Sequence, residues 1–443
     1  MNATRLWSLW QAIVLSVALG FTQRGKQRFV EWATGLALNV EEHTITQSLI
    51  ALGRPQDWKA LESFAEYGSW NLPLLQYWLA LRLDDLPNRL WYGYRVWAGD
   101  DTKVHRNSPD VWGTCTFHNY SARCPNRAST VRAHNWVVTG ALLPVAGEPA
   151  LFLPVAGQLY FRKSQLPEAQ KGPAIIFHTK CELLVAQLRQ HAKACEDRNL
   201  GIFDGAFAVA SVVRPLVKPD DAEQPRIDIL TRLRLDARLY ALPPSERCKG
   251  KGGSLPKWGK RLAPPREGGD WPCDWQSGKA FLYGRVREVK YKEVLCLWRV
   301  LGHDVVVKAV FAWVEGYTKP FTLVSSATDL SGLQIVELFC ARFRQEDGFR
   351  DLKQRLGWEE CRAWTRNPIE RTTQMMFVTL TALRLLQKEL QEQQGDDWWL
   401  HPPWNPHKSR PSVLDVERLL WQHREGIQAC LADWLGNEGE VGE

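Results

Sequence analysis

Residues 335–353 read IVELFCARFRQEDGFRDLK. Wound as an α-helix of about 3.6 residues per turn, Phe339, Arg342, Glu346 and Lys353 fall on one stripe, within an arc of roughly 60°. Ile335 and Phe349 share the stripe, so it is predicted to face the interior. Charged groups sit on such a stripe when they are paired or bind something. Two readings compete. One is an amphipathic helix whose charges close i,i+4 pairs, such as Arg342 with Glu346. The other is a helix that carries a functional carboxylate flanked by cations. The rest of the chain has to separate them.

Working outward from the helix, two more acids stand at strand ends. Tyr92, Tyr94, Val96 and Ala98 alternate and are followed by Asp100, Asp101 and Thr102, which reads as a strand ending in acids. Gly201, Ile202 and Phe203 form a short apolar run closed by Asp204 and Gly205. Taken singly, Asp100 and Asp101 fit a solvated turn and Asp204 fits a turn cap. Taken jointly, a strand acid, a second strand acid and a helix acid are what two-metal phosphodiester cleavage needs. There, carboxylates converge on ions roughly 4 Å apart. Hard oxygen donors of this kind suit Mg²⁺.

The spacing of Phe339, Arg342, Glu346 and Lys353 resembles the Tyr-Arg-Glu-Lys signature of DDE transposases from bacterial insertion sequences. The resemblance extends over about residues 20–390. AGDDTKV (98–104) resembles the first Asp motif, and HNWVVTGALLP (134–144) the next strand. GIFDGAF (201–207) with ILTRLRLDARLY (229–240) resembles the second Asp block. Residues 323–362 resemble the strand and helix that carry the Glu, and NPIERTTQMMFVTLTALRLL (367–386) the helix after it. Each motif is degenerate; their order and spacing together are specific. Phe339 departs from the family's Tyr, so a hydroxyl contact to phosphate is lost there.

The resemblance implies an α/β fold: an RNase H-like catalytic core with a β-rich insertion, preceded by a helical N-terminal domain. It implies catalysis by Asp100, Asp204 and Glu346 as ligands of two Mg²⁺ (or Mn²⁺) ions, with Asp101 as the alternative first acid. Arg342 and Lys353 would contact phosphates. The segment from Asp204 to Glu346 is longer than such a core requires, so about 245–320 is read as the insertion. Its basic loop, with Lys249, Lys251, Lys257, Lys260 and Arg261, either holds backbone phosphates or is solvated. Trp298 or Trp313 either stacks on a flipped base or fills core. The implied partner is double-stranded DNA, as terminal inverted repeats and target, bound by a homodimer in the bacterial cytoplasm. Two other classes compete: an inactive DNA-binding descendant, and a secreted carboxylate-dependent hydrolase. The hydrolase would bring a signal peptide and a paired Cys framework, and neither is evident.

Composition is compatible with this reading without proving it. The 443 residues suffice for two or three domains, and the net charge of +7 with a pI near 8.8 tolerates a polyanion partner. The 22 Trp serve core filling first and base stacking second. The ten Cys include no Cys-x-x-Cys pair, which suits a reducing cytosol. Cys115 and Cys124 flank His118 without a recognised zinc spacing. Leu6–Phe21 is apolar and superficially signal-like, but Gln11 interrupts it and it is short for a span, so a buried first helix is predicted.

The predicted organisation is a helical segment 1–85, with Thr44–Arg54 open to a helix-turn-helix reading. Core segments 86–244 and 321–393 flank the insertion 245–320, and a linker with a C-terminal helix occupies 394–443. Strands are expected at Trp112–His118, Trp136–Leu143, Leu151–Leu159, Phe281–Val286, Val294–Arg299, Val305–Trp313 and Thr322–Ser326. Helices are expected from the Thr179/Glu182 capping box to Cys195, from Asn367 as N-cap towards Gln391, and from Ser412 with Asp415.

Overall fold

Apolar periodicity of about 3.6 gives way to alternation at Tyr94, and that switch divides the helices from the sheet. The computed structural model describes residues 1–118, 129–145, 148–166, 175–244 and 255–437. Lys249, Lys251 and Cys124 lie outside them.

Eleven described strands form one mixed sheet. They are β1 (Tyr94–His105), β2 (Cys115–His118), β3 (Thr130–Val145), β4 (Glu148–Tyr160), β5 (Arg198–Phe203), β6 (Ile227–Arg232), β7 (Leu239–Tyr240), β8 (Gln276–Leu282), β9 (Arg285–Trp298), β10 (Val306–Val314) and β11 (Phe321–Ser325). Strand β1 is central. It pairs antiparallel with β3, which pairs antiparallel with β4. On its other side β1 pairs parallel with β5, and β5 parallel with β6. Beyond β6 the sheet continues antiparallel through β11, β10 and β9. The strands within 276–314 therefore extend the same sheet.

Helices cover both faces. On one face α6 (Lys180–Lys193) and α7 (Ala210–Val217) pack, with the capping box of Thr179 and Glu182 starting α6 as predicted. On the other lie α8 (Gly332–Ala341), α9 (Arg344–Gln354) and α10 (Arg366–Gln394). Gly348 lets α9 approach β4, because a Cβ there would meet Phe152 at 2.5 Å. Helix α10 covers the open edge of β4. Gln374 and Thr381 donate to the Val155 and Pro154 carbonyls at 3.0 and 2.9 Å, and Arg384 donates to the Phe152 carbonyl. An edge satisfied in this way is no template for a foreign strand.

Of the N-terminal helices, α1 (Ala3–Leu15), α2 (Gln23–Leu38), α4 (Trp58–Tyr67) and α5 (Leu72–Asp84) pack on α10, and α3 (Ile45–Ala51) packs on α2 and α4. Helix α11 (Val413–Gln422) packs on α10 as well, and α12 (Arg424–Asn437) packs on α1 and α2. Helix α1 buries Leu6, Trp7, Trp10 and Val14, as predicted for a first core helix. No helix among the described residues is long and apolar enough to cross a membrane.

Several expectations are corrected. Strand β1 does not end at Asp100 or Asp101; it runs to His105 because β3 keeps pairing with it as far as Ala133. Phe281–Val286 is a hairpin, with Tyr283 and Gly284 at φ of 52° and 86° between β8 and β9. Positive φ at both central residues is the two-residue turn whose twist matches paired strands. Helix α10 starts after Thr365, whose hydroxyl donates to Glu66 instead of capping the helix, and Asn367 donates to the Glu66 carbonyl. The C-terminal segment holds two helices, α11 with its Ser412/Asp415 box and α12 after a break at His423. The 335–353 stretch is likewise two helices, with consequences described next.

Candidate active site

The parallel register decides where the first two acids go. Strands β1 and β5 align Gly99 with Phe203, the last pair of their ladder. The next residues in each chain are Asp100 and Asp204, and Asp204 keeps an extended backbone at φ −69° and ψ 160°. In-register neighbours on parallel strands, about 4.8 Å apart, point to the same face. Continued in that register, Asp100 and Asp204 fall on one face where the parallel strands part, near enough for the Asp204 charge to act on Asp100. The Asp204 side chain makes no capping bond to the turn after it, so the turn-cap reading does not account for it.

The alternation that aims Asp100 at α9 aims Asp101 at α6. Asp101 accepts a bond from Lys180, the first residue of α6, at 2.6 Å. Gly99 is on that same face, against Leu184 of α6. The two neighbouring acids are therefore separated by the sheet, and only Asp100 shares a face with Asp204.

Glu346 reaches the same place through a break in its helix. Between Phe339 and Glu346 the backbone bonds shorten to i→i−3: Arg342 to Phe339, Phe343 to Cys340, Gln345 to Arg342 and Glu346 to Phe343. A turn of that type advances about 120° per residue instead of 100°. Over three or four residues the phase shifts by roughly 60–80°. Ile335 and Phe349 stay buried, while Glu346 rotates off their stripe and leaves its side chain 52% exposed. The continuous buried stripe expected from the sequence is thereby corrected.

Arg342, at the break, joins the carboxylates. Its Nη1 donates to Asp100 Oδ2 at 3.0 Å and its Nη2 lies 3.8 Å from Glu346 Oε1. The paired reading of Arg342 with Glu346 and the site reading thus describe one cluster. Phe339 packs on Phe321 at 6.3 Å between ring centroids and lies under the Arg342 guanidinium at 5.7 Å. Burial pushes the Asp100 carboxyl up to about 6; Arg342 and the Asp101 amide oppose the rise, while the charges of Asp101 and Asp204 add to it. Asp100 thus feels the charge of Asp204, a smaller effect than its burial.

The remaining predicted residues lie elsewhere. Lys353 donates to the Lys103 carbonyl of β1 at 2.6 Å and lies 3.8 Å from Glu359, not from Glu346 or Asp347. Burial lowers its pKa, and Glu359 opposes that. Lys257, Lys260 and Arg261 are exposed near β7, at the far edge of the sheet, where the Tyr240–Arg261 bridge holds their segment. Trp298 is core at 2% exposed, whereas Trp313 is 47% exposed with its indole N–H on the Tyr317 carbonyl. Sequence reasoning missed Lys180 and the pairing of Arg342 with Asp100. Neither has a local signal, because each partner comes from a distant segment.

Among the described residues, no three His, Cys, Asp or Glu side chains converge closely enough to hold a metal ion as placed. The donor chemistry nevertheless suits a hard divalent cation: the carboxylates of Asp100 and Glu346 flank the Arg342 guanidinium, and Asp204 follows the strand that runs parallel to that of Asp100. No known family model matches the chain, and no curated protein matches it in sequence.

Proposed function

We propose that this chain is a DDE-type DNA transposase that cleaves and joins DNA strands at the ends of an insertion sequence. One observation carries the reading: Asp100 and Asp204 each follow the last pair of the β1–β5 ladder, and Arg342 links Asp100 to Glu346. The strand order β4-β3-β1-β5-β6, antiparallel on one side of β1 and parallel on the other, supports an RNase H-like core. Strands β8–β10, between Asp204 and Glu346, then correspond to the β-rich insertion.

Asp100, Asp204 and Glu346 would hold the divalent ions, Mg²⁺ or Mn²⁺. Bound there, such ions polarise the phosphate, ionise the attacking water and stabilise the leaving oxygen. The protein's own groups do the positioning. Arg342 favours the ionised form of Asp100, and its buried Nε has no partner, leaving a donor for a phosphate oxygen. Glu346, exposed on the first turn of α9, can move towards Asp100 without disturbing the core. Gln345 anchors that turn by donating to the Val138 carbonyl of β3 at 3.1 Å. The partners on this reading are the terminal repeats and the target duplex, engaged by a homodimer in the cytoplasm.

The test is Glu346→Gln, which removes a ligand charge and keeps side-chain shape. Nicking of a supercoiled plasmid in Mg²⁺ is expected to disappear while the gel shift on duplex DNA persists. Retained nicking refutes the role of Glu346.

A further inference from the structure

The flank of α9 away from the carboxylates carries a second feature. Arg344, Asp347, Asp351 and Arg355 recur at three- and four-residue spacing and so line one side of the helix. With Arg384 of α10 and Arg410 ahead of α11 they line a cleft of about 330 Å³. Arg350, at its rim, is exposed. The cleft therefore gathers five arginines from three segments of chain around two carboxylates. Asp347 is shared by Arg344 at 2.6 Å and Arg350 at 3.0 Å, and Asp351 takes Arg384 at 2.7 Å. Arg355 has no carboxylate within ion-pair distance among the described residues. The nearby Glu417 carboxyl is pushed up to about 8 by burial, so at neutral pH it does little to cancel Arg355.

Such a surplus of guanidinium in a concave site is unfavourable by itself and fits a multiply charged oxyanion, which arginine binds in a fork. A cleft of this size admits phosphate groups with their sugars, but not a duplex. A helix is about 10 Å across, so a strand held here is not the strand held at Asp100 and Glu346.

We infer that the arginine cleft between α9, α10 and Arg410 binds successive phosphates of a DNA strand other than the one at the carboxylates. The inference rests on the proposed function for its choice of partner.

The experiment uses the full-length chain carrying Arg350→Gln and Arg355→Gln together. Binding to a 30-base-pair duplex is measured at several salt concentrations, and binding to sodium tripolyphosphate by calorimetry. Arg234→Gln, a substitution at an exposed arginine elsewhere, is the control. Each lost phosphate contact lowers the log–log salt slope by about 0.9, so a fall of about 1.8 is expected for the double variant. Tripolyphosphate affinity should fall at least about tenfold, with an unchanged melting temperature and an unchanged control.

An unmoved slope in a variant that still nicks DNA overturns the cleft and leaves the proposed function standing. Lost tripolyphosphate affinity with an unmoved slope shows a small-polyphosphate site and overturns the strand assignment. A wild-type chain that binds tripolyphosphate at these arginines but neither binds nor nicks DNA overturns the proposed function, and the strand assignment with it.

Discussion

The Asp100 carboxylate should cost the protein stability, and Asp100→Asn should recover it. In the fold its pKa rises from the ordinary 3.8 to about 6, chiefly by burial. That rise corresponds to about 3 kcal/mol against the charged form. The sign follows from the direction. A raised folded-state pKa gives stability that is present below about pH 4 and lost as pH climbs through about 6. Asparagine does not titrate and keeps the hydrogen-bond acceptor for Arg342. The variant and the wild type should therefore match near pH 4 and diverge above it. At pH 7 the variant should be more stable by up to about 3 kcal/mol, or about 3 °C in melting temperature for a chain of this length. The assay is thermal unfolding of both proteins from pH 4.5 to 8 in a chelating buffer. Adding Mg²⁺ should then raise only the wild type, by about 2.7 kcal/mol at a hundred times the dissociation constant, and only the wild type should nick DNA. A variant less stable at every pH would refute the reasoning. It would mean that Arg342, stripped of its counter-charge, dominates the balance.

Asp101→Asn should leave nicking within about threefold of wild type and change stability by under about 1 kcal/mol, because the Asp101–Lys180 pair is partly exposed on the opposite face. Lost nicking in Asp101→Asn with retained nicking in Asp100→Asn would reverse the two assignments. Lys353→Met should lower stability by about 1.5–3 kcal/mol, the range for a charged hydrogen bond such as that to the Lys103 carbonyl. The salt slope of DNA binding should not change; a slope lower by about 0.9 with intact melting would instead make Lys353 a phosphate contact.

Elements with a strong local signal were legible in the chain alone. The Thr179/Glu182 and Ser412/Asp415 boxes start their helices, and the runs around Val96, Val138 and Leu153 are strands. The middle of β9, from Arg287 to Glu293, was not legible, because Arg287, Glu288, Lys290, Lys292 and Glu293 leave it few apolar residues. Such a strand is held by its neighbours β8 and β10, a tertiary effect that outweighs propensity. The end of β1 was misread for a related reason. Acids and a lysine at 100–103 imply a loop, yet β3 supplies partners for each of those backbone positions.

The candidate site was legible as a set of residue types but not as a geometry, and the difference lies at two junctions. The first is the end of the β1–β5 ladder. A parallel strand that leaves the sheet exposes the crevice at its carboxyl end, where open α/β sheets hold ligands. No window of sequence announces which neighbour β1 will meet there, so Asp101 stays an alternative to Asp100 until the register separates them. The second is the tightened turn at Arg342–Phe343. Under strict 3.6 periodicity Glu346 belongs on the buried stripe, where an ionised carboxylate would demand full compensation. Four short-range bonds rotate it to the rim while Phe349 keeps its place in the core. The charge pattern that looked anomalous for a helix face is therefore resolved by a local change of helical pitch. That change leaves Glu346 free to move and Asp100 held.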